Sequence, residues 1–295
     1  MSKRSPSPPL IGDTEPDSPH LPGQRSGKHR KLIAFGWYGG KFAHLAWLLP
    51  LLSDAHHYCE PFGGSAAVLL NRDPCPVETY NDLDGEVTNF FRVLRDHRDA
   101  LIEAIALTPF SREEFYVAVM PPTHPIGDIE RARRFFVRAR QARTGLAQTA
   151  SLGRWANCKH TSRAGMSGAV SRWLGSLQGL APVAERLLRV QIENRPATEV
   201  IEIYDAPDTL FYCDPPYPHS SRGDTKSYLY EMTDDEHREL SAVLHECKGK
   251  AALSGYRCAL LDVLYGDWKR IDAPTKNCHS IKKPRQEALW VNYVP

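Results

Sequence analysis

The residues best suited to chemistry are Asp214-Pro215-Pro216-Tyr217, which directly follow the apolar run at 210–213. The Asp214 carboxylate and the backbone carbonyl of Pro215 make a pair of acceptors at the end of a buried strand. Two consecutive prolines fix the backbone that carries them, so little reorganisation is needed at the moment of reaction. Such a pair suits an exocyclic amine on an aromatic ring. The nitrogen lone pair of that amine is delocalised. Acceptors aimed at its two hydrogens favour a tetrahedral nitrogen whose lone pair points at a methyl donor. Tyr217 adds a ring face for a flipped base, worth roughly 1–3 kcal/mol of stacking. The plain alternative is a proline-rich turn after a strand.

A cofactor half-site precedes this loop. A short strand at 58–60 runs into Pro61-Phe62-Gly63-Gly64-Ser65, followed by an apolar stretch expected to be helical to about Asn71. Glycines let backbone approach a ligand, and a helix N-terminus offers unpaired amides. A second strand at 77–80 ends at Asn81-Asp82, where a carboxylate can accept from both ribose hydroxyls of an adenosyl group. Val87, Phe90, Phe91 and Leu94 then recur at helical spacing.

The elements that must position these groups form an α/β pattern. Strand-like runs at 190–193, 210–213, 251–254, 268–271 and 288–293 follow a middle region of different character. Thr233-Asp234-Asp235-Glu236 is a capping-box signature that opens a helix to about Cys247. The expected fold is a twisted, mostly parallel sheet flanked by helices, with an antiparallel hairpin made by the last two strands. Residues 31–96 and 186–295 make up the catalytic part of a Rossmann-like fold, and 97–185 a mainly helical target-recognition insert. Residues 1–30, rich in Pro, Ser and charge, read as a disordered tail, because they bury too little to offset their ordering entropy.

Charge distribution points to the partner. The net charge of the 295 residues is only +2, yet residues 131–184 hold ten Lys or Arg and no Asp or Glu. Arg131, Arg133, Arg134, Arg138, Arg140 and Arg143 lie around one helical stretch, with Arg172 further on. An arginine stripe suits phosphate neutralisation and guanine edges. We expect Arg131, Arg134, Arg138, Arg143 and Arg172 to touch DNA, and Arg222 to clamp a phosphate beside a flipped base.

Other classes are disfavoured. Seven scattered cysteines without a Cys-x-x-Cys pair, and no apolar leader, lead us to expect reduced thiols in a soluble, cytoplasmic protein. The apolar stretch at 45–52 is too short to span a bilayer. His56-His57 and Cys158-x-His160 lack the spacing of a closed zinc site, and we expect no metal. Hydrolase triads and Gly-Lys-Ser/Thr phosphate loops are not visible.

With these residues in view, the chain resembles the Dam-type DNA adenine methyltransferases, particularly the phage-encoded members, over roughly 32–295. The resemblance rests on Trp37-Tyr38-Gly39-Gly40-Lys41, Glu60-Pro61-Phe62-Gly63-Gly64, Asn81-Asp82 and the Asp214–Tyr217 loop, with Arg285-Gln286-Glu287-Ala288-Leu289-Trp290 resembling the closing strand. It implies S-adenosylmethionine as cofactor, held by Trp37, Tyr38, Gly39, Gly40, Lys41, Glu60, Phe62, Gly63, Gly64, Asp82 and Asp214. Lys41 is then the partner of the methionyl carboxylate. The catalytic set is Asp214, Pro215, Pro216 and Tyr217. Double-stranded DNA is then the expected substrate of a monomer or weak dimer, and restriction-modification, host regulation and phage self-protection all stay open as its role. One departure is Ser65-Ala66, where the family often has a further glycine.

Rival readings stay open at this point. Cytosine N4 methylation uses a similar Pro-Pro-aromatic loop, and Asp at 214 favours adenine. RNA is a rival substrate of the same chemistry. A non-catalytic DNA-binding protein derived from a methyltransferase is the rival of another class.

Overall fold

Short apolar runs pair into one sheet in the computed structural model, which describes residues 31–143, 145–222, 229–274 and 286–295. The tail at 1–30, Cys278 and Arg285 lie outside the described residues. The strands are β1 (His57–Glu60), β2 (Val77–Asn81), β3 (Ser162–Arg163), β4 (Met166–Ser167), β5 (Gln191–Glu193), β6 (Thr209–Cys213), β7 (Lys250–Tyr256), β8 (Lys269–Asp272) and β9 (Glu287–Val291). The main sheet has the order β5-β2-β1-β6-β7-β9-β8, and β3 pairs with β4 alone. Pairings among β5, β2, β1, β6 and β7 are all parallel. β9 is antiparallel to both β7 and β8, which is the expected closing hairpin.

β1 and β6 are buried along their whole length, as parallel strands covered on both faces must be. The chain leaves β1 towards β2 on one side and later enters β6 on the other. Their carboxyl ends therefore flank a topological switch point, the usual place for a ligand crevice in such sheets.

The covering helices are α1 (Leu45–Leu48), α2 (Gly85–Asp96), α3 (Arg98–Ala106), α4 (Arg112–Val119), α5 (Asp128–Gln141), α6 (Gly168–Leu177), α7 (Leu180–Leu187), α8 (Ala197–Tyr204), α9 (Asp234–Glu246) and α10 (Ala259–Leu264). Asp84 caps α2 by accepting from the Glu86 amide, and Thr233 and Glu236 form the expected capping box on α9. The apolar face of α2 meets that of α5: the Phe90 and Phe136 rings stack at 5.6 Å, and Phe35 packs edge-on against Phe90 and Phe135. The helices at 97–185 thus share a continuous core with the sheet. Phe135, Phe136 and Trp173 join Tyr58, Tyr80 and Leu210 in one cluster, and Leu32–Pro295 is one compact unit. The region is an insert in sequence, not a separate body. No helix among the described residues is long and apolar enough to cross a membrane.

One expected helix is absent. Residues 61–71 run as successive turns. Gly64 (φ 49°) and Ala66 (φ 53°) both occupy the left-handed region, which no α-helix tolerates. The Leu69 amide donates to the Glu60 carboxylate at 2.6 Å, where a helix would send it to a backbone carbonyl. Ala66 is the departure from glycine noted above, and its left-handed backbone costs roughly 1–2 kcal/mol.

The glycines of this turn have a structural reason different from the one expected. A Cβ on Gly63 would sit 2.2 Å from the Tyr80 ring, and one on Gly64 would sit 2.5 Å from Trp37 Nε1. They make room for two aromatic side chains. Tyr80 is fully buried and donates its hydroxyl to the Gly64 carbonyl at 2.7 Å, so it has nowhere to move. Gly63→Ala is expected to destabilise the fold by about 1–3 kcal/mol, the range for overpacking. Denaturant unfolding monitored by circular dichroism will read this as a lower midpoint with an unchanged slope.

Candidate active site

Parallel strands point their carboxyl ends the same way, so Glu60 at the end of β1, Asp82 just past β2 and Asp214 just past β6 open into one cleft. Its wall includes Trp37, Tyr38, Gly40, Lys41, Glu60, Phe62, Gly63, Gly64, Asp82, Asp214 and Pro216. The half-open space is about 940 Å³ with its solvent mouth included. Gly39, Pro215 and Tyr217 are not on the wall. Gly39 instead gives its carbonyl to Lys41 Nζ at 2.8 Å.

Lys41 is 4% exposed, and its Nζ lies 2.7 Å from Asp214 Oδ1 and 3.3 Å from Glu287 Oε1. An ammonium has three N–H donors, and these three acceptors account for them. Desolvation pulls Lys41 down, but Asp214 and Glu287 outweigh it, and the net shift is upward. Lys41 therefore stays charged and neutralises two buried carboxylates, in place of the expected pairing with a methionyl carboxylate. Burial pushes the Asp214 carboxyl up to about 6. Lys41 and the Tyr217 hydroxyl pull it down, and Glu287 pushes it further up.

Tyr217 is 5% exposed. Its hydroxyl donates to Glu287 Oε1 and also lies 3.2 Å from Asp214 Oδ1. Its ring packs edge-on against Tyr256 at 4.8 Å. The stacking face expected of Tyr217 is therefore turned inward, drawn by two carboxylates and covered by a second tyrosine. Glu287, 7% exposed on β9, is the member that sequence reasoning missed. In the sequence, the Glu287 segment resembles only a closing strand. The available signal is an acid at the head of an otherwise apolar strand, which needs a cationic or donor partner when it is buried.

Asp82 receives two backbone amides, Gly64 N–H on Oδ2 at 2.7 Å and Asp84 N–H on Oδ1 at 2.8 Å. These donors tie the glycine turn to the end of β2 and aim the carboxylate across the cleft. Burial nevertheless pushes it up to about 6, against the two amides. Glu60 accepts from Tyr58 Oη at 2.7 Å and from the Leu69 amide, and burial pushes its carboxyl up to about 8. At neutral pH Glu60 is thus mainly protonated. The loop after β6 is anchored from α9, where His237 interacts with the Pro216 carbonyl. Burial holds that imidazole down at about 4, hence neutral.

The arginines divide into two groups. Arg131 pairs with Glu86 (2.9 Å) and Asp128 (3.3 Å), Arg134 with Glu130 (2.8 Å), and Arg138 with Glu86 (3.0 Å). Arg133 pairs with Glu114 and Glu130. The acid-free window hid these partners because they lie just upstream in sequence, at 86, 114, 128 and 130. Arg222 is buried and ion-paired with Glu231, so the phosphate clamp expected of it is occupied within the protein. Arg143 and Arg172 are exposed and carry no ion pair among the described residues. Three or more His, Cys, Asp or Glu side chains that could hold a metal ion do not occur together among the described residues.

Comparison with known proteins bears on this arrangement. A type II methyltransferase, M1.LlaDCHI of Lactococcus lactis subsp. cremoris, is 26% identical over 215 residues, which cover 66% of this chain and 69% of that protein. Among solved structures, the rRNA methyltransferase AviRa of Streptomyces viridochromogenes aligns over 83% of this chain and 80% of its own at 14% identity and a TM-score of 0.32. The family model of D12 class N6 adenine-specific DNA methyltransferases matches residues 37–278. That stretch runs from Trp37 on the cleft wall through Asp82 and the Asp214 loop, and by it the chain belongs to the D12 class N6 adenine-specific DNA methyltransferases.

Proposed function

We propose that the protein transfers a methyl group from S-adenosylmethionine to N6 of adenine in double-stranded DNA, acting on a base turned out of the duplex into the cleft. The observation that carries this reading is the state of Asp214. Its Oδ1 is held by Lys41 and Tyr217, while Oδ2 has no partner among the described residues. A carboxylate locked at one oxygen and open at the other is a preoriented acceptor for an amine hydrogen.

The lining fits the cofactor by charge. With Glu60 neutral, Asp82, Asp214, Glu231 and Glu236 share the wall with Lys41 and Arg195, an acidic balance that suits a molecule with net positive charge. Phe62, Leu83 and Ala197 supply an apolar section for an adenine ring, and Asp82 accepts from ribose hydroxyls. When bound, the cofactor supplies an electrophilic methyl group on sulfur. Lys41 and Tyr217 hold Asp214 in place, Glu287 holds both of them in turn, Asp214 Oδ2 accepts from the amine, and the prolines fix the loop that carries it. Tyr230, 45% exposed at the cleft, takes over the stacking role that Tyr217 cannot fill from inside. The helical region 97–185 reads the target sequence, with DNA contact assigned to Arg143 and Arg172.

The test is to incubate the protein with S-adenosylmethionine and duplex DNA, digest to nucleosides, and identify the product by mass. N6-methyl-2′-deoxyadenosine is the expected modified nucleoside. N4-methyl-2′-deoxycytidine would overturn the choice of base, and no modified base would overturn methyl transfer.

Glu287 carries a separate expectation as a positioning residue. Glu287→Gln removes a negative charge that raises Asp214 and leaves Lys41 and Tyr217 one ionic acceptor short. We expect kcat to fall roughly 10–100-fold, the equivalent of one charged hydrogen bond of about 1.5–3 kcal/mol. Activity in the natural protein should drop as pH falls through about 6, where Asp214 takes up a proton. In Glu287→Gln that acid limb moves to lower pH, and a pH–rate profile of both proteins checks the shift.

A further inference from the structure

A second cleft opens beside the first, between the C-terminal end of α5 and α6. Trp37 lines both clefts. Its wall carries Arg140, Arg143 and Arg172 with Phe110 and a set of small residues, and no carboxylate. These three guanidinium groups have no carboxylate partner among the described residues, whereas Arg131, Arg133, Arg134 and Arg138 each have one or two.

Arg140 is the informative member. One of its terminal nitrogens donates to the Ala34 carbonyl, and the guanidinium lies 5.7 Å from the Phe136 ring centre. Its Nε is buried without a hydrogen-bond partner. Burial pulls Arg140 down to about 10 with nothing acidic to offset it. A charged group held in this way is stabilised by whatever anion enters. Arg143 donates to Asn157 Oδ1 at 3.2 Å, and the exposed Arg172 faces it from α6. Planar, multi-donor groups converging on one space are the chemistry that recognises a phosphate.

We propose that this cleft binds one backbone phosphodiester of the DNA substrate, a single side chain away from the methyl-transfer pocket, with Arg140, Arg143 and Arg172 as donors. The assignment rests on the reading that DNA is the substrate. It differs from a general basic stripe. At Arg131 and its neighbours DNA would have to displace the paired carboxylates before gaining a contact. The three arginines here have no acid to displace.

The experiment measures binding of a short DNA duplex across a series of salt concentrations. Each phosphate contact contributes about 0.9 to the slope of log affinity against log salt. Arg143→Gln/Arg172→Gln, a double variant at two exposed positions, is expected to lower the slope by about 0.9 in total, with S-adenosylmethionine affinity unchanged. Arg140→Gln should give the same loss, and the double variant keeps the test open if Arg140→Gln does not fold. Arg131→Gln should leave the slope as it is. An unchanged slope in the double variant overturns the site, and a drop of about 1.8 overturns it as a single shared phosphate. If the natural protein methylates adenine while its double variant keeps the full slope, the site fails and the function stands. If the slope falls as expected but no methyl is transferred, the function fails and the site stands.

Discussion

Asp214→Ala is expected to reduce kcat for adenine methylation by roughly 10³-fold or more, at the upper end of what loss of one preorganised polar group costs. The substitution removes the acceptor for the amine. It also leaves Lys41 Nζ with Glu287 and the Gly39 carbonyl in place of three acceptors. Lys41 still has one carboxylate to pair with, so the charge balance of the buried cluster survives and the fold is retained. Single-turnover methylation with tritiated cofactor, alongside thermal unfolding, separates these effects. A variant that folds, binds S-adenosylmethionine and still methylates at the natural rate would end the role given to Asp214. Asp214→Asn is the stricter test, because it keeps shape and one acceptor while removing the charge that Lys41 pairs with.

The second large effect is on cofactor affinity. Asp82→Ala removes the acceptor proposed for two ribose hydroxyls, and hydrogen bonds to a charged group are worth about 1.5–3 kcal/mol each. A weakening of Kd for S-adenosylmethionine by roughly 10²-fold or more follows, read by isothermal titration. The same residue holds the Gly64 and Asp84 amides, so some loss of stability accompanies it. Asp82→Asn retains one of those acceptors and separates the two losses: its affinity falls while its unfolding midpoint moves less. The pH dependence has a definite sign. Asp82 accepts best when ionised, and its carboxyl lies at about 6. Cofactor affinity in the natural protein therefore weakens as pH falls through that value, and the Asp82→Asn protein loses this dependence.

Local features of the site were legible in the sequence, and long-range ones were not. Asp214 and Asp82 directly follow strands and the Gly63-Gly64 turn begins three residues after one, so hydrophobic pattern alone places them at strand ends. The parallel sheet with its closing hairpin was also readable, from strand-like runs separated by helices. What the pattern could not show was who meets whom. Glu287 reaches Lys41 from 246 positions away in sequence, because β9 is inserted beside β7. The stretch after Gly64 has helical composition, yet a side chain, Glu60, takes one of its amides and two residues adopt positive φ. Arg131 and Arg138 look unpaired in the sequence because a linear window cannot see Glu86 across a helix–helix contact, and Arg134 because Glu130 lies just outside the acid-free stretch. Tyr217 looked like a stacking platform until two buried carboxylates turned its hydroxyl inward.

The position of β9 in the sheet also governs when the enzyme becomes competent during synthesis. Lys41, Asp82 and Asp214 all leave the ribosome well before Glu287. Until β9 pairs between β7 and β8, β7 has a bare edge, β8 has no neighbour in the sheet, and Lys41 and Tyr217 face Asp214 alone. A growing chain can assemble its cofactor cleft yet not hold its acceptor in place. A nonsense mutation between codons 218 and 287 accordingly leaves a fragment with every motif of the cofactor half and the catalytic loop, and no methyl transfer.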